Sequence, residues 1–404
     1  MIIIFIFSFY LNDVLVVKEG VMRITSPALI KREILVKKGD WIDSLKLSQI
    51  EVRLRDLKLF TDVEVYPKDS LSDTTDLIVK IKEFWYLWPI INLYHSSETG
   101  WNFGAGVYFA NFRGMNQRLS FYYNFIGESS FTFGFEDPWT RGHTYHWGVD
   151  LYEKRWRRRI EEFTQNEKGV KINYGRNINP YISWTLGGYI KEVSSDKKGK
   201  TVSEDNKDLY LKPYLEILWD TKDSEENPSQ GFKETFIFSY TKGIEPDFTI
   251  HEIEGDLRFY KKVFSEDILA IQACFNLNIG DIIPAYRKEY LGGEESVRGW
   301  DYGTLRGNHS LFLSFEYRIP IYKIKKRDMG KLKNVRWGVS WYNFYDVGWT
   351  ADSLSLSYDF LRNLPGIDGF GAGLVFFIPY IRMVRFQLAY RDGWHPGVNL
   401  SWKF

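Results

Sequence analysis

Cysteine is nearly absent: the 404 residues hold one, Cys274. That excludes a disulfide framework within the chain, and the strand-like run around Cys274 makes it a small buried hydrophobe. Long apolar runs are missing as well. The longest, Met1 to Phe7, falls far short of the roughly 18 residues a membrane-spanning helix needs. Excess charge of either sign is lacking, since the formal net charge is +1, so no global field points to nucleic acid. Histidine is scarce, with six in all. His143 and His146 are three apart, which on a strand puts them on opposite faces and argues against a metal pair. There is no P-loop, nucleophile elbow, zinc spacing or Ser/His/Asp arrangement. The reading is a non-enzymatic chain without cofactor or metal.

What the chain does have is aromatic residues, 18% of the total, including 15 Trp and 26 Tyr. That load is incompatible with disorder and suits rings placed at a membrane–water boundary. With a mean hydropathy of -0.32, two classes remain: a soluble all-β protein, or a transmembrane β-barrel whose strands hide alternate residues. The opening run Met1 to Tyr10 is like the apolar core of a secretory signal but has no basic leader or small-residue cleavage site. A clipped start and a first strand both fit it.

Residues 12–83 differ in pattern from the rest of the chain. Val14, Val16 and Val17 predict a strand, and Ser26-Pro27 a helix start with serine at the cap and proline just inside. Leu47, Ile50, Leu54 and Leu57 recur at helical spacing, predicting a second helix over about Ile42 to Leu59. The period then switches to two, with Val63 and Val65 in one strand and Leu77, Val79 and Ile81 in another. A strand, two helices and two strands make a small α+β domain.

From residue 84 to 404 the chain reads as strands separated by turns. Leu311, Leu313, Phe315 and Tyr317 alternate with Ser314, Glu316 and Arg318; Val384, Phe386, Leu388 and Tyr390 alternate with Arg385, Gln387 and Arg391. Val170, Ile172 and Tyr174 against Lys171 and Asn173, and Val398, Leu400, Trp402 and Phe404 against Asn399, Ser401 and Lys403, repeat the pattern. Charged side chains recur on one face while the other is broad, apolar and flanked by Trp and Tyr, which favours the membrane barrel. About sixteen antiparallel strands of roughly ten residues fit, an even number.

Between two such strands lies Leu291-Gly292-Gly293-Glu294-Glu295-Ser296-Val297-Arg298-Gly299-Trp300. Its glycines let backbone approach backbone closely, and its single arginine requires a carboxylate if buried. Strand parity supplies one. Trp337, Val339, Trp341 and Val347 are expected on the lipid face, so Phe344, Asp346 and Gly348 point inward. Arg298 is thus either an ordinary exposed loop cation or the partner of Asp346.

Four separated segments, Phe135-Glu136-Asp137-Pro138-Trp139 at an inner turn, Trp219 to Asp223 with Asn227-Pro228 and Gly231-Phe232, the Gly292 to Trp300 segment, and Phe344-Tyr345-Asp346-Val347-Gly348, carry a resemblance, joined by Phe370 to Leu374 with Arg385-Phe386 and Phe404. Together they resemble the superfamily of BamA, TamA and the two-partner-secretion transporters. Lys38-Gly39-Asp40 and Leu57 to Val63 likewise make the small domain similar to a POTRA domain. The resemblance implies an all-β transmembrane barrel of residues 84–404 in the outer membrane, behind one POTRA-like periplasmic domain of residues 12–83. It makes the glycine-rich segment, within about residues 283–308, the sixth external loop, between the eleventh and twelfth barrel strands. Arg298 would then reach inward to Asp346. The implied function is insertion of β-barrel proteins into the outer membrane or passage of polypeptides across it. Implied partners are unfolded outer-membrane or secreted polypeptides, outer-membrane lipids and periplasmic accessory proteins. A two-partner-type exporter of one substrate, a passive pore and a lipid-acting barrel enzyme are the alternatives.

Further residues carry two readings each. Pro89 in the first barrel strand and Gly397 and Phe404 in the last are strand-end residues, or they weaken a seam that parts for a client strand. Lys154, Arg155, Arg157, Arg158 and Arg159 meet lipid phosphates or solvent. Lys323, Lys325, Lys326, Arg327, Lys331 and Lys333 are expected in a long inner turn, touching headgroups or a periplasmic partner.

Overall fold

The computed structural model describes residues 8–399 except 58, 84, 97, 141–143, 225–226, 265, 330–331, 355–362, 379–380 and 392. Met1–Phe7, His143, Lys331, Leu400, Ser401, Trp402, Lys403 and Phe404 lie outside the described residues.

The N-terminal part runs β1 (Ser8–Gly20), α1 (Pro27–Glu33), β2 (Trp41–Asp43), α2 (Ser44–Asp56), β3 (Phe60–Pro67) and β4 (Thr74–Glu83), with its strands ordered β2-β1-β4-β3. The Ser26 side chain caps α1 by accepting from the Ala28 amide, with Pro27 at the first turn. The second helix is shorter than its apolar spacing suggests, because Asp43 accepts from the Lys46 amide and caps it there. The preceding Trp41–Asp43 is instead drawn into a ladder with β1. Ile42, Ile50, Leu54, Val63, Leu77, Val79 and Ile81 meet in one buried core.

The rest of the chain is strand: β5 (Leu87–Ser96), β6 (Gly100–Phe112), β7 (Gln117–Ile126), β8 (Ser129–Thr140), β9 (Tyr145–Arg158), β10 (Phe163–Asn177), β11 (Ile182–Ser195), β12 (Lys207–Asp220), β13 (Gly231–Glu245), β14 (Thr249–Lys262), β15 (Ile268–Gly280), β16 (Glu289–Leu291), β17 (Leu305–Gly307), β18 (His309–Met329), β19 (Leu332–Ala351), β20 (Gly366–Ile378), β21 (Ile381–Tyr390) and β22 (Trp394–Asn399). Sixteen of these form one sheet in sequence order, with β15 beside β18, while β16 and β17 make a separate hairpin in the connection between them. The strand count agrees with the alternation, and the glycine-rich segment falls between the eleventh and twelfth sheet strands. Closure is another matter. β5 and β22 stand at the two ends of the sheet, and no ladder joins them among the described residues.

The contacts divide the chain into two compact units, one comprising residues up to Ile90 with Ala105–Tyr122 and Thr132–Asp150, the other Ile91–Gly104, Tyr123–Phe131 and Leu151–Phe404. Inside the first, the α+β part is fastened to the turn between β6 and β7. Asn111 donates to Thr25 Oγ1 at 2.9 Å, Thr25 Oγ1 lies 3.2 Å from the Tyr86 hydroxyl, and the Ser26 amide donates to the Gly114 carbonyl at 2.9 Å. The buried Glu83 carboxylate accepts from the Ile24 and Thr25 amides.

Several sequence expectations need correction. Phe135 to Trp139 is no turn: it lies within β8, where Glu136 pairs with Arg118 and Asp137 accepts from Gln117. The basic stretch from Lys323 is no long turn, because β18 and β19, 21 and 20 residues long, extend into it. Val339, expected on the open face with Trp341, is buried at 9% exposure, beside ladder irregularities between Pro320 and Tyr322 and between Tyr322 and Lys325.

Candidate functional site

The connection between β15 and β18 enters through a 3-10 turn (Ala285–Arg287) and narrows to the β16–β17 hairpin, where Leu291 faces Leu305. Its tip is shaped by residues that need the left-handed region: Gly292, Gly293 and Gly299 have φ of +112°, +86° and +91°. A Cβ on Gly292 would lie 2.1 Å from the Asp301 carbonyl oxygen. The Gly293 amide donates to the Trp300 carbonyl at 2.7 Å and Ser296 Oγ accepts from the Gly292 amide at 2.8 Å, closing the tip on itself. Val297 and Leu291 then pack with Phe312 and Ile367.

This folding delivers Arg298, only 1% exposed, to the covered face of the sheet. Its Nε and Nη2 donate to Asp346 Oδ2 and Oδ1 at 2.6 and 2.7 Å, a bidentate pair, and its own amide donates to Oδ2 at 3.1 Å. Nη1 donates to Glu316 Oε1 at 2.8 Å and Nη2 to Ser314 Oγ at 3.2 Å. The guanidinium carbon lies 3.6 Å from the Phe344 ring centroid, a cation–π contact. Asp346 and Glu316 are the counter-charges that make burial of this cation tolerable.

Register explains the convergence. Ser314 faces Asp346 across β18 and β19, and Glu316 faces Phe344. Glu316 also accepts from Arg318 at 3.0 Å and from Arg385 at 2.8 Å, so three guanidinium groups surround one carboxylate. Glycines make the room: a Cβ on Gly348 would lie 2.8 Å from Val297 Cγ2, and one on Gly369 only 2.2 Å from the Arg298 carbonyl oxygen. Trp300 Nε1 donates to the Asp368 carbonyl at 2.7 Å, with the Arg391 guanidinium 4.0 Å from the ring centroid.

The structure therefore brings together Gly292, Gly293, Val297, Arg298, Gly299 and Trp300 with Phe344, Asp346 and Gly348. It gives no such convergence for the suspected seam. Pro89 lies within β5, and Gly397 lies within β22, opposite Gln387 of β21; Phe404 lies outside the described residues. The loop does approach β5 and β22: Glu294 Oε2 is 3.9 Å from His95 Nδ1, and Gly397 lies beside the Glu294 carboxylate.

A second anchorage escaped the sequence. At the loop's root the Tyr286 hydroxyl donates to Asp208 at 2.7 Å, Arg287 Nη2 to the Tyr210 hydroxyl at 3.1 Å, and Arg287 Nη1 lies 3.2 Å from the buried Glu252. Higher on the loop, Glu161 accepts from Tyr290 at 3.0 Å, Arg306 at 2.7 Å and Lys200 at 2.7 Å. Partial burial alone would raise the pKa of Glu161, yet these donors hold it below the ordinary value. The only sequence signal for the first cluster is polar residues on the covered face of β12 and β14, and the members of the second lie on neither strand.

Comparison with known proteins points the same way. The Omp85 superfamily domain fits residues 111–402. The chain is 25% identical over 370 residues to the outer membrane protein assembly factor BamA of Nitratidesulfovibrio vulgaris, covering 85% of this chain and 44% of that relative. It thus spans less than half the length of that protein. Among solved structures it resembles BamA from Haemophilus ducreyi lacking POTRA domains 1–3, with a TM-score of 0.74 at 16% identity over 96% of this chain and 83% of that one. CdiB from Acinetobacter baumannii gives a TM-score of 0.58 at 16% identity, covering 96% and 73%. These structural likenesses concern the fold.

Proposed function

The chain belongs to the Omp85 superfamily of outer-membrane β-barrel proteins, and from that membership we propose that it inserts β-barrel polypeptides into the outer membrane. The observation that carries this reading is the buried clasp of Arg298 on Asp346 and Glu316, which holds a long loop on the covered face of a sixteen-stranded sheet. With the sheet curled into a barrel, that face lines the lumen and the open apolar face meets lipid. The N-terminal α+β part is a POTRA-like receiving domain on the periplasmic side, and its edge strand β3 offers an unfolded client its backbone on either side of Val63, whose carbonyl and amide already meet Arg55 and Asp62. β5 and β22, which no ladder joins among the described residues, form the seam where a client strand pairs in turn. The driving force is the client's own folding, because strand hydrogen bonds close and lipid-facing residues leave water.

A photo-crosslinker at Trp88 or Ile90, flanking Pro89 in β5, tests the proposal during reconstituted synthesis of a barrel client. Adducts to the client's terminal strands are expected. A secreted polypeptide trapped against covered-face residues instead would mean export, and no adducts to either class would sink both.

A further inference from the structure

We propose that the open face of β9 binds a phosphate carried by an anionic lipid, through Arg155 and Arg157. Along β9 the exposed residues are Leu151, Glu153, Arg155 and Arg157, while Tyr152, Lys154, Trp156 and Arg158 turn to the other face. The arginine on the covered side is engaged: Arg158 donates to Gln165 at 3.0 Å and to the Tyr286 carbonyl at 3.1 Å, and it lies 3.4 Å from Glu98. The outward ones differ. Among the described residues Arg155 and Arg157 make no ion pair. Arg159 instead reaches Gly100, the first residue of β6, and its charge acts on Glu98, the carboxylate that Arg158 meets.

An unpaired guanidinium cannot face acyl chains without a large desolvation cost, so this end of β9 belongs at headgroup level. Deeper along the same face the surface changes. A trough of about 400 Å³ runs between strands, lined by Leu151, Val170, Ile190 and Leu209 with Glu153, Lys168 and Glu192; Lys168 and Glu192 form an ion pair of 3.1 Å, and Glu153 sits at the rim toward Arg155. Leu151 lies about 13 Å below Arg155 at roughly 3.3 Å per residue. Apolar trough below and cations above match an acyl chain and its phosphate. Same-face arginines about 6.6 Å apart can grip one phosphate from two sides, and a guanidinium fork suits its oxygens. The site lies at the end of the strands that carries the clasped loop. Its placement in the outer leaflet rests on the proposed barrel orientation.

The full chain in detergent, titrated with a bis-phosphorylated glucosamine lipid and followed by native mass spectrometry, tests the site directly. Arg155→Gln/Arg157→Gln is expected to weaken binding at least tenfold, Arg155→Lys/Arg157→Lys to fall between it and the parent, and Lys198→Gln to change nothing. Phosphatidylglycerol reports whether the glycan contributes; binding of either lipid with loss in the Gln variant supports the site. Equal binding of a dephosphorylated lipid, inorganic phosphate competing at lipid concentrations, or a Gln variant within twofold of the parent overturns it. Binding is read without client insertion, and protease accessibility from each side of sealed vesicles tests the orientation separately.

Discussion

Arg298 makes four side-chain hydrogen bonds to three acceptors, and the consequence of losing them is asymmetric. Glu316 keeps Arg318 and Arg385, whereas Asp346 is left fully buried without a cation, keeping the Ser314 hydroxyl at 2.6 Å and the residue 298 amide at 3.1 Å. Removing one partner of such a buried pair costs about 3–5 kcal/mol, most of it from the charge left behind. Arg298→Ala is therefore expected to speed proteinase K cleavage of the loop by two orders of magnitude or more, and to depress client insertion while the sheet still forms. A steric control separates position from charge. Gly369→Ala leaves every ion in place but drives a Cβ into the Arg298 carbonyl, so it should release the loop as Arg298→Ala does. Gly393→Ala, with nothing within 4 Å of its Cβ, should be silent. Unchanged cleavage in Gly369→Ala would show that the close approach does not hold the tip.

At the scale of elements, the loop is tied at both ends, by Tyr286 and Arg287 to β12 and β14 and by Arg298 to β18 and β19. Loss of one tie frees its own part of the connection, and the other still holds the rest on the sheet. Arg287→Met and Arg298→Met should thus each raise loop cleavage, while the double variant exceeds the product of the two. Simple multiplication would mean two independent anchors. Only one was legible in advance. Glycines around a single arginine, with alternation on β19, pointed to Arg298 and Asp346 without any knowledge of register. Alternation marks a face and not a neighbour, so Ser314 and Glu316 remained members of a polar stripe until the β18–β19 pairing placed them beside Asp346. Tyr286 and Asp208 are 78 residues apart, and no local pattern links them. The basic residues after Lys323 read as a turn because charge clusters favour solvent, yet hairpin pairing carries the strands through them.

Across the whole chain, sixteen strands were countable because two-residue periodicity survives any arrangement, whereas closure depends on the pairing of β5 with β22, to which periodicity is blind. The fastening of the α+β part depends on a few buried polar groups. Asn111 is fully buried, donating to Thr25 and accepting from the Asn116 amide at 2.7 Å. Leaving buried partners unsatisfied costs about 1–3 kcal/mol, so Asn111→Ala should make protease release of residues 8–83 roughly five- to a hundredfold faster, with Tyr86→Phe milder. Release at the parental rate would assign the fastening to the apolar contacts of Leu29, Leu59 and Tyr86 instead.

The order of these partners along the chain dictates a sequence of assembly. Asp208, Tyr210 and Glu252 precede the loop, so its root has a place to rest as soon as it emerges. Ser314, Glu316, Asp346 and Arg385 all come after it, and until they arrive the arginine at the tip has no dry seat. Its settling therefore marks the arrival of the late strands, and a polypeptide cut short before β18 would carry the loop with its tip unmoored.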